Sequence, residues 1–534
     1  MNRFLLSPFP WALLFLCGGC LLVPWAGFQN DEALFASGIY DRVGIAGTVR
    51  VFHRDISLML MSYLGALKSW LYAPYLQVFP VNVWSVRLPV VVCGAATLWL
   101  LHRLLRRVSG PLAAAFCGAL LATDPSFVMT TAFDWGPVAL QHLLGIAGLT
   151  ALVVFAQDQR DRYLAAGFAA LGLGLWDKAL FAWFLSGAGL ATLFLFSRRI
   201  WALLTPRRAA IAGASFFIGS FPLWLYNFQQ PWATFRGNAG FSFEHLPGKV
   251  LVLRATLDGS SLFGYIPRET ADPGHRRSPE GAFEHASVWL DEITGSQRHT
   301  WTAAAFAAAL LLTPWLWFTP SRGLALWALL ACLIAWIQMA ATNGAGASAH
   351  HCVLLWPLPQ ILVAAALAEI ARFGRAGLAV ALLLAASLFT MNTLVTNRHL
   401  ALLIQNGPTA IWSDALLRLP GQLARLPAAE IYVNDWGFLD ALRLTNQGRL
   451  PLRLGSDPLS KPELSPEDRR QVAARLRPDV WFVSFTDGNE AFAGVNQRMR
   501  EVAGEVGFQR RTETVIHDRH GRPLIEVFRY LPPE

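Results

Sequence analysis

The stretch Gly27-Phe28-Gln29-Asn30-Asp31-Glu32-Ala33-Leu34-Phe35 decides how the rest of the chain is interpreted. It directly follows the apolar run Phe9–Ala26, so two adjacent carboxylates stand where a membrane helix would leave the bilayer. A charge at this boundary is costly unless it is solvated or paired, which makes it a candidate for function. Helix capping is the alternative, because Asn30 can cap a helix to about Arg42 and acidic residues favour a first turn.

The composition predicts a polytopic membrane protein. Of the 534 residues, 54% are hydrophobic and only 15% are charged, whereas about a quarter of the residues of a soluble domain are charged. Apolar runs long enough to cross a bilayer, roughly 20 residues each, recur from Phe9 to about Val395. We therefore predict an α-helical membrane protein with about eleven spans.

Arginine clusters in alternate short loops predict the orientation. They are Arg103, Arg106 and Arg107; Arg160 and Arg162; Arg198, Arg199, Arg207 and Arg208; Arg322; and Arg372 and Arg375. Cytoplasmic loops carry such an excess of arginine, so the N-terminus is expected in the cytoplasm and the loop with Asp31 outside. The net charge of +9 follows from this topology and does not indicate nucleic-acid binding.

The six cysteines predict neither disulfides nor a zinc site, because all lie in or beside apolar spans. Cys17-Gly18-Gly19-Cys20 has redox-motif spacing, but small residues inside an apolar run favour helix packing. The sequence requires no cofactor and no metal, although exterior carboxylates are compatible with a divalent cation. The first run is long and other spans follow it, so we expect a retained span and not a cleaved signal peptide.

Two regions outside the spans have predicted structure of their own. In the first exterior loop, Asp31–Arg42 and Ser57–Tyr75 are predicted as helices lying in the membrane interface. From about Leu402 the composition becomes that of a soluble α/β domain on the exterior face. Its predicted elements are buried strands at Glu430–Asn434 and Asp479–Phe485, a helix at Asn489–Val506, and a hairpin of Thr512–Ile516 with Leu524–Tyr530.

Ionisable residues gather at the predicted exterior edge of the membrane. They are Asp31, Glu32, Asp55, Lys68, Asp124, Asp134, Asp177, Lys178, His350 and His351. A transporter or flippase would carry such residues near mid-membrane, and a non-enzymatic scaffold would not need them on one face. The clustering favours transfer of a group from a lipid-linked donor: a carboxylate can deprotonate an acceptor hydroxyl, and a cation can stabilise a leaving phosphate.

Several motifs together resemble a known superfamily. They are Asn30-Asp31-Glu32 after the first span, Thr131-Ala132-Phe133-Asp134, Gly174-Leu175-Trp176-Asp177-Lys178, the segment from Tyr63 to Pro74, and the segment from His350 to Pro359 with its two prolines. In order and sidedness they resemble the GT-C membrane glycosyltransferases, in the glycosyltransferase family 39 branch of protein mannosyltransferases and aminoarabinose transferases. The resemblance covers most of residues 1–400, and residues 401–534 form the separate exterior domain.

The resemblance implies a polyprenyl-phosphate-linked sugar donor, inversion at the anomeric carbon and a glycan, lipid or protein acceptor. It implies chemistry at the outer face of a bacterial cytoplasmic (inner) membrane, with the C-terminal domain in the periplasm. Asp31 then becomes the base or acceptor-orienting carboxylate, supported by Glu32 and Asp134. The candidate phosphate contacts are Lys178, Lys68, His350 and His351.

One segment departs from the family pattern, and each candidate has a structural alternative. Phe52-His53-Arg54-Asp55-Ile56 replaces a Lys-Pro-Pro pattern, which leaves the sugar open and makes Asp55 a further candidate. Carboxylates can cap helices, Lys68 can snorkel to lipid headgroups, and a histidine pair can simply mark a span boundary. In the C-terminal domain, Asn434-Asp435-Trp436-Gly437 is predicted as a structural turn, with a role in acceptor binding as the alternative.

Overall fold

The computed structural model describes residues 3–135, 138–238 and 240–532, and its larger part is helical. The helices of the first half are α1 (Phe9–Leu22), α2 (Asn30–Ala33), α3 (Ala36–Ile39), α4 (Leu67–Val78), α5 (Val83–Val108), α6 (Pro111–Thr123), α7 (Pro125–Ala132), α8 (Val138–Asp158), α9 (Asp161–Asp177), α10 (Phe181–Leu203) and α11 (Pro206–Gln229). The helices that follow are α12 (Ala233–Arg236), α13 (Leu246–Leu257), α14 (Gly281–Ile293), α15 (Thr302–Leu311), α16 (Thr313–Leu316), α17 (Arg322–Ala341), α18 (Ala349–Cys352), α19 (Leu358–Ile370) and α20 (Gly374–Gln405).

The predicted multi-pass helical membrane protein is confirmed. Within the described ranges, six helices are long and apolar enough to cross a bilayer, or up to nine if each bent pair is one span. The six are α5, α8, α10, α11, α17 and α20. The number of eleven stays a prediction, since α9 has 17 residues and α15 has 10.

Two helices form the centre of the bundle. Every residue from Leu358 to Glu369 in α19 is buried, and so is nearly all of α6. Both are mostly apolar and rich in alanine, and small side chains let neighbouring helices approach closely. The surrounding helices α1, α5, α17 and α20 pack against this pair.

The first exterior loop contains a sheet that the sequence did not predict. Its antiparallel strands are β1 (Gly47–Val51), β2 (Arg54–Met61) and β3 (Leu64–Gly65). The predicted helix Ser57–Tyr75 is therefore wrong over its first part, and α4 begins only at Leu67. The reason is the tight turn at Phe52 and His53, both with left-handed φ (45° and 65°), which folds β2 back onto β1.

The other predicted loop helix, Asp31–Arg42, is broken into α2 and α3. These two short helices turn away from the first span by 109°. Gln29, and not Asn30, is the N-cap residue of α2.

The C-terminal region is a small α/β fold, as predicted. Its elements are α21 (Ala415–Leu423), β4 (Glu430–Val433), α22 (Leu439–Asn446), β5 (Leu452–Leu454), α23 (Ser456–Leu459), α24 (Pro466–Ala473), β6 (Val480–Phe485), α25 (Val495–Glu505), β7 (Gln509–His517) and β8 (Pro523–Leu531). The sheet order is β5-β4-β6-β8-β7, with β4 parallel to β5 and β6, and β8 antiparallel to β6 and β7. The domain limits 1–400 and 401–534 stay predictions; α20 ends at Gln405.

The C-terminal region docks on the first exterior loop through α22. Ser37 Oγ in α3 donates to Asp440 Oδ1 at 2.6 Å, and Arg443 Nε donates to Asp41 Oδ2 at 2.8 Å. At the start of the loop, Gly27 N donates to the Trp412 carbonyl at 2.7 Å. The segment that carries Asp31 therefore lies between the helical bundle and the C-terminal region.

Candidate active site

A capping box fixes the turn that carries Asp31. Gln29 Oε1 accepts hydrogen bonds from the backbone N–H groups of Asp31 (2.6 Å) and Glu32 (3.4 Å), and Gln29 N donates to Glu32 Oε2 at 3.4 Å. Such reciprocal bonds satisfy the free N–H groups of a helix start. Asp31 is half-buried, whereas Glu32 is completely buried. The two neighbouring carboxylates thus have different surroundings.

Glu32 is held by a buried arginine from α5. Arg87 Nε and Nη2 donate to the two Glu32 carboxylate oxygens at 2.6 and 2.8 Å, and both side chains are 0% exposed. The remaining donors reach the carbonyl oxygens of Val23 (2.7 Å), Ala26 (2.9 Å) and Gly27 (2.6 Å). A planar guanidinium matches a carboxylate in this bidentate way. Glu32 therefore anchors the loop beneath Asp31.

A cavity of about 610 Å³ lies beside Asp31. One wall comes from the first exterior loop with Lys178 and the start of α18, and the other comes from the C-terminal region. Its polar and aromatic lining consists of Asn30, Asp31, Ser37, Tyr63, Lys178, His350, His351, Trp436, Asp440, Arg443 and Arg453, and its apolar lining includes Leu34, Leu60, Leu64 and Leu454. This volume is within the range of small-molecule sites.

Asp31 and Lys178 carry opposite charges on the same wall of this cavity. Burial raises the pKa of the Asp31 carboxyl above its ordinary 3.8, and the Lys178 ammonium partly offsets the rise. Burial likewise lowers the pKa of Lys178 below its ordinary 10.5, with Asp31 and Asp177 acting in the other direction. Within the described parts of the chain, the Lys178 ammonium forms no hydrogen bond or ion pair. It is a buried cation available to a ligand.

The backbone of Lys178 is fixed to the loop sheet. Lys178 forms an antiparallel bridge with Leu64 of β3, and Ala179 N donates to the Tyr63 carbonyl at 2.9 Å. On its other side, Gln141 Nε2 donates to the Lys178 carbonyl at 3.1 Å. The end of α9 and the exterior loop therefore position this cation together.

Lys68 and Asp134 form a buried ion pair behind the cavity. The Lys68 ammonium contacts Asp134 Oδ2, donates to the Glu32 carbonyl at 3.2 Å, and lies 4.4 Å from the centre of the Phe35 ring. Burial raises the pKa of Asp134 to about 7, although Lys68 opposes the shift. Neither residue lines the cavity. The structure thus pairs one predicted phosphate contact with one predicted supporting carboxylate.

The two histidines line the cavity near Lys178. His350 Nδ1 is 3.1 Å from Ser348 Oγ, and its ring centre is 4.6 Å from that of Trp135. The rings of His350 and His351 are 4.3 Å apart. This places both imidazoles on the same wall as the Lys178 ammonium.

Three other predicted residues lie outside the cavity. Asp55 pairs with Arg50 at 3.1 Å on the exposed loop sheet. Asp124 is the N-cap of α7, where its Oδ1 accepts from Phe127 N at 2.9 Å. Asp177 is buried, and neither carboxylate oxygen has a hydrogen-bond partner among the described residues. Asp55, a candidate from the sequence, therefore lies on a different surface from the cavity.

The sequence predicts a role in acceptor binding for the turn Asn434–Gly437 only as an alternative, and it does not place α22 or β5 in the site. Trp436, Asp440, Arg443 and Arg453 line the cavity from α22, β5 and the turn after β4. A pattern of isolated polar residues in a soluble domain carries no signal of this placement, which depends on how the domain docks. Over residues 3–135, 138–238 and 240–532, no group of three or more His, Cys, Asp or Glu side chains is arranged to hold a metal ion.

Comparisons with known proteins agree with this fold. Residues 65–226 match the family model described as dolichyl-phosphate-mannose-protein mannosyltransferase. The crystal structure of ArnT from Cupriavidus metallidurans bound to undecaprenyl phosphate is similar over 97% of this chain and 98% of that chain, with a TM-score of 0.55 and 14% identity. Its apo structure gives the same coverage and TM-score at 15% identity. No curated protein matches significantly in sequence.

The chain therefore has the GT-C fold of a multi-pass membrane protein, and the predicted resemblance is confirmed at this level. The match to the mannosyltransferase family model begins at the end of β3, covers α4 to α10 and ends within α11.

Proposed function

We propose that this protein is a glycosyltransferase that moves a sugar from a polyprenyl-phosphate-linked donor to an acceptor hydroxyl. The observation that carries the proposal is the cavity lined by both Asp31 and Lys178, where no described residue forms a hydrogen bond or ion pair with the Lys178 ammonium. An anionic leaving group and a hydroxyl nucleophile need this combination of groups. The family model and the ArnT structure with undecaprenyl phosphate support a lipid-phosphate donor.

The proposed reaction is a single displacement with inversion at the anomeric carbon. The acceptor oxygen attacks this carbon while the bond to the donor phosphate oxygen breaks. Asp31 takes the hydroxyl proton, and its raised pKa makes it a stronger base than an exposed aspartate. Lys178 stabilises the charge that develops on the leaving polyprenyl phosphate, with His350 and His351 on the same wall.

The remaining candidates act through Asp31 in this proposal. Glu32 holds the loop through Arg87, and Asp134 holds Lys68 against the Glu32 carbonyl. Glu32 follows Asp31 in the chain, and the Lys68–Asp134 pair binds the Glu32 carbonyl. Both pairs therefore orient the base without touching the substrate.

We propose that the reaction takes place at the outer face of a bacterial inner membrane. The N-terminus would lie in the cytoplasm, because the arginine-rich loops are there, and the C-terminal region in the periplasm. A reporter enzyme fused to the C-terminus tests this. Activity of a periplasm-dependent reporter is expected, and activity of a cytoplasm-dependent one would overturn the proposed sidedness.

The chemistry is tested with Asp31→Asn protein in lipid nanodiscs. The donors are undecaprenyl phosphate-linked mannose and aminoarabinose, each labelled in the sugar, and acceptor membranes come from cells that lack the protein. Turnover is expected to fall about 10²- to 10⁴-fold, because the base is lost. Asp55→Asn is the matched control: the same substitution in the same loop, on a side chain that is 42% exposed and outside the cavity.

Two results would overturn the proposal. Normal turnover by folded Asp31→Asn protein would reject Asp31 as the base. Movement of intact lipid-linked glycan across the bilayer, without cleavage of the sugar–phosphate bond by wild-type protein, would favour the transporter instead. Parallel reactions with EDTA report whether a divalent cation takes part.

A further inference from the structure

The indole ring of Trp436 lines the cavity. Its side chain is half-buried and lines the cavity wall opposite the bundle. Within the described residues, the ring stacks on no other aromatic ring, and the indole N–H donates no hydrogen bond. The ring also stands outside the apolar core clusters of the C-terminal region. A half-buried indole on a cavity wall can offer both an apolar face and an N–H donor to a bound molecule.

The backbone around Trp436 is held rigidly. The Asp435 carboxylate accepts the N–H groups of Trp436 (2.8 Å), Ala491 (3.0 Å) and Phe492 (3.0 Å). Phe438, two residues after Trp436, is buried, and its ring centre lies 4.2 Å from that of Phe485. A side chain on a fixed backbone loses little freedom on binding, so this ring is prepared for a ligand.

The same turn contacts the loop of the proposed base. Asp440 N, at the start of α22, donates to Asn30 Oδ1 at 3.4 Å, and Asn30 is the neighbour of Asp31. Asn30, Asp31 and Trp436 line one cavity. A molecule that packs on Trp436 therefore reaches the carboxylate without leaving this cavity.

We propose that Trp436 binds a sugar ring of the acceptor, so that the acceptor is a glycan, either free or carried on a lipid. A sugar ring has an apolar C–H face that stacks on an indole and a polar rim that needs donors and acceptors. Asn30, Asp440 and Arg453 supply such groups around the cavity. This inference rests on the proposed function and adds the class of the acceptor to it.

The proposed step is balanced as a transfer between two sugars. A hydroxyl oxygen of the glycan stacked on Trp436 forms the new bond to the donor's anomeric carbon. The bond from that carbon to the phosphate oxygen breaks, and polyprenyl phosphate leaves with the electron pair. The hydroxyl proton goes to Asp31. No other reactant is needed.

The test uses Trp436→Leu, which keeps an apolar side chain and removes the aromatic face, together with Trp436→Phe. Rates are measured with the labelled donors while the concentration of acceptor membranes is varied. We expect Trp436→Leu to raise the half-saturating acceptor concentration about tenfold, with the donor KM unchanged. Trp436→Phe is expected to stay within about threefold of wild type. The control is Trp201→Leu, on a 70% exposed tryptophan of α10.

The product identifies the acceptor and its source. After the reaction, label is separated into a protease-released, an organic-soluble and a polysaccharide fraction. Label in a glycolipid or polysaccharide supports the inference and distinguishes the two sources. Label released by protease as glycopeptide, or an unchanged half-saturation in Trp436→Leu, would overturn it. Absence of turnover in the wild type would instead overturn the proposed function itself.

Discussion

Arg87 in α5 and Glu32 in the first exterior loop form a bidentate ion pair, at 2.6 and 2.8 Å, with both side chains fully buried. The same guanidinium binds three backbone carbonyls at the end of the first span. It therefore fixes the turn on which Asp31 is placed. Removing either partner leaves a buried charge without compensation.

Arg87→Met is expected to destabilise the protein by about 3–5 kcal/mol, because the Glu32 carboxylate and three carbonyl groups lose their donors. The measurement is the thermal midpoint of purified protein in detergent, together with its yield. Arg106→Met, on an exposed arginine of the same helix, is the control. The double variant Arg87→Met/Glu32→Leu is expected to recover part of the loss. An unchanged midpoint in Arg87→Met would show that the pair does not anchor the loop.

Arg443→Ala is expected to loosen the C-terminal region from the first exterior loop. The guanidinium binds Asp41 at 2.8 Å and Asp440 at 3.1 Å, and its side chain is only 8% exposed. Loss of these bonds should increase amide hydrogen exchange in α3 and α22 and lower turnover about tenfold. Arg469→Ala, which removes a more exposed pair with Glu505, serves as the comparison. Amide exchange at the wild-type rate in α3 and α22 would show that Arg443 does not hold the C-terminal region to the loop.

The activity is expected to follow a bell-shaped pH profile. Asp31 must be a carboxylate, and burial raises its pKa above 3.8, so activity falls as the pH drops through this raised value. Lys178 must be a cation, and burial lowers its pKa below 10.5, so activity also falls as the pH rises through that value. Lys178→Arg should move only the alkaline limb to higher pH, because arginine stays charged.

The measurement for this profile is kcat/KM for the donor as a function of pH. The control is Lys461→Arg, the same replacement on an exposed lysine of the C-terminal region. If the alkaline limb of active Lys178→Arg protein coincides with that of the wild type, another group controls it.

Gly27→Ala is expected to disturb the contact between the loop and the C-terminal region. A Cβ atom on Gly27 would collide with the carbonyl oxygen of Ser413, whose backbone cannot easily give way. Overpacking of this kind costs about 1–3 kcal/mol, which a thermal midpoint and limited proteolysis after α20 would both detect. Gly18→Ala is the control, because nothing lies within 4 Å of a Cβ at Gly18. Equal midpoints for the two variants would contradict the close approach.

The spans and the C-terminal strands could be predicted because each has a local pattern. Long apolar runs give α5, α8, α17 and α20, a buried apolar run gives β6, and an alternating pattern gives β4. The loop sheet could not be predicted in this way. Phe52 and His53 are not typical turn residues, and their left-handed conformation is compensated by strand pairing that the local sequence does not encode.

The candidate site also has one part that the local sequence predicts and another part that it does not. Asp31 follows the first span, so its position at the membrane edge can be predicted from the local sequence. Among the residues that the structure describes, Lys68 pairs with Asp134 whereas the Lys178 ammonium has no ion pair, and this difference depends on which helix ends meet. The role of Trp436 in the cavity wall depends on the docking of α22 on α3, which no single segment specifies.

The bridge between Leu64 and Lys178 has a consequence for the surrounding lipid. Ala179 N also bonds to the Tyr63 carbonyl, and Ser69 Oγ bonds to the Phe35 carbonyl at 2.9 Å, so the cation and the loop of Asp31 belong to one hydrogen-bonded platform. Spans respond to a thicker or thinner bilayer by tilting. Because these bonds join the two parts directly, we expect the separation of the two charged groups to be independent of acyl-chain length.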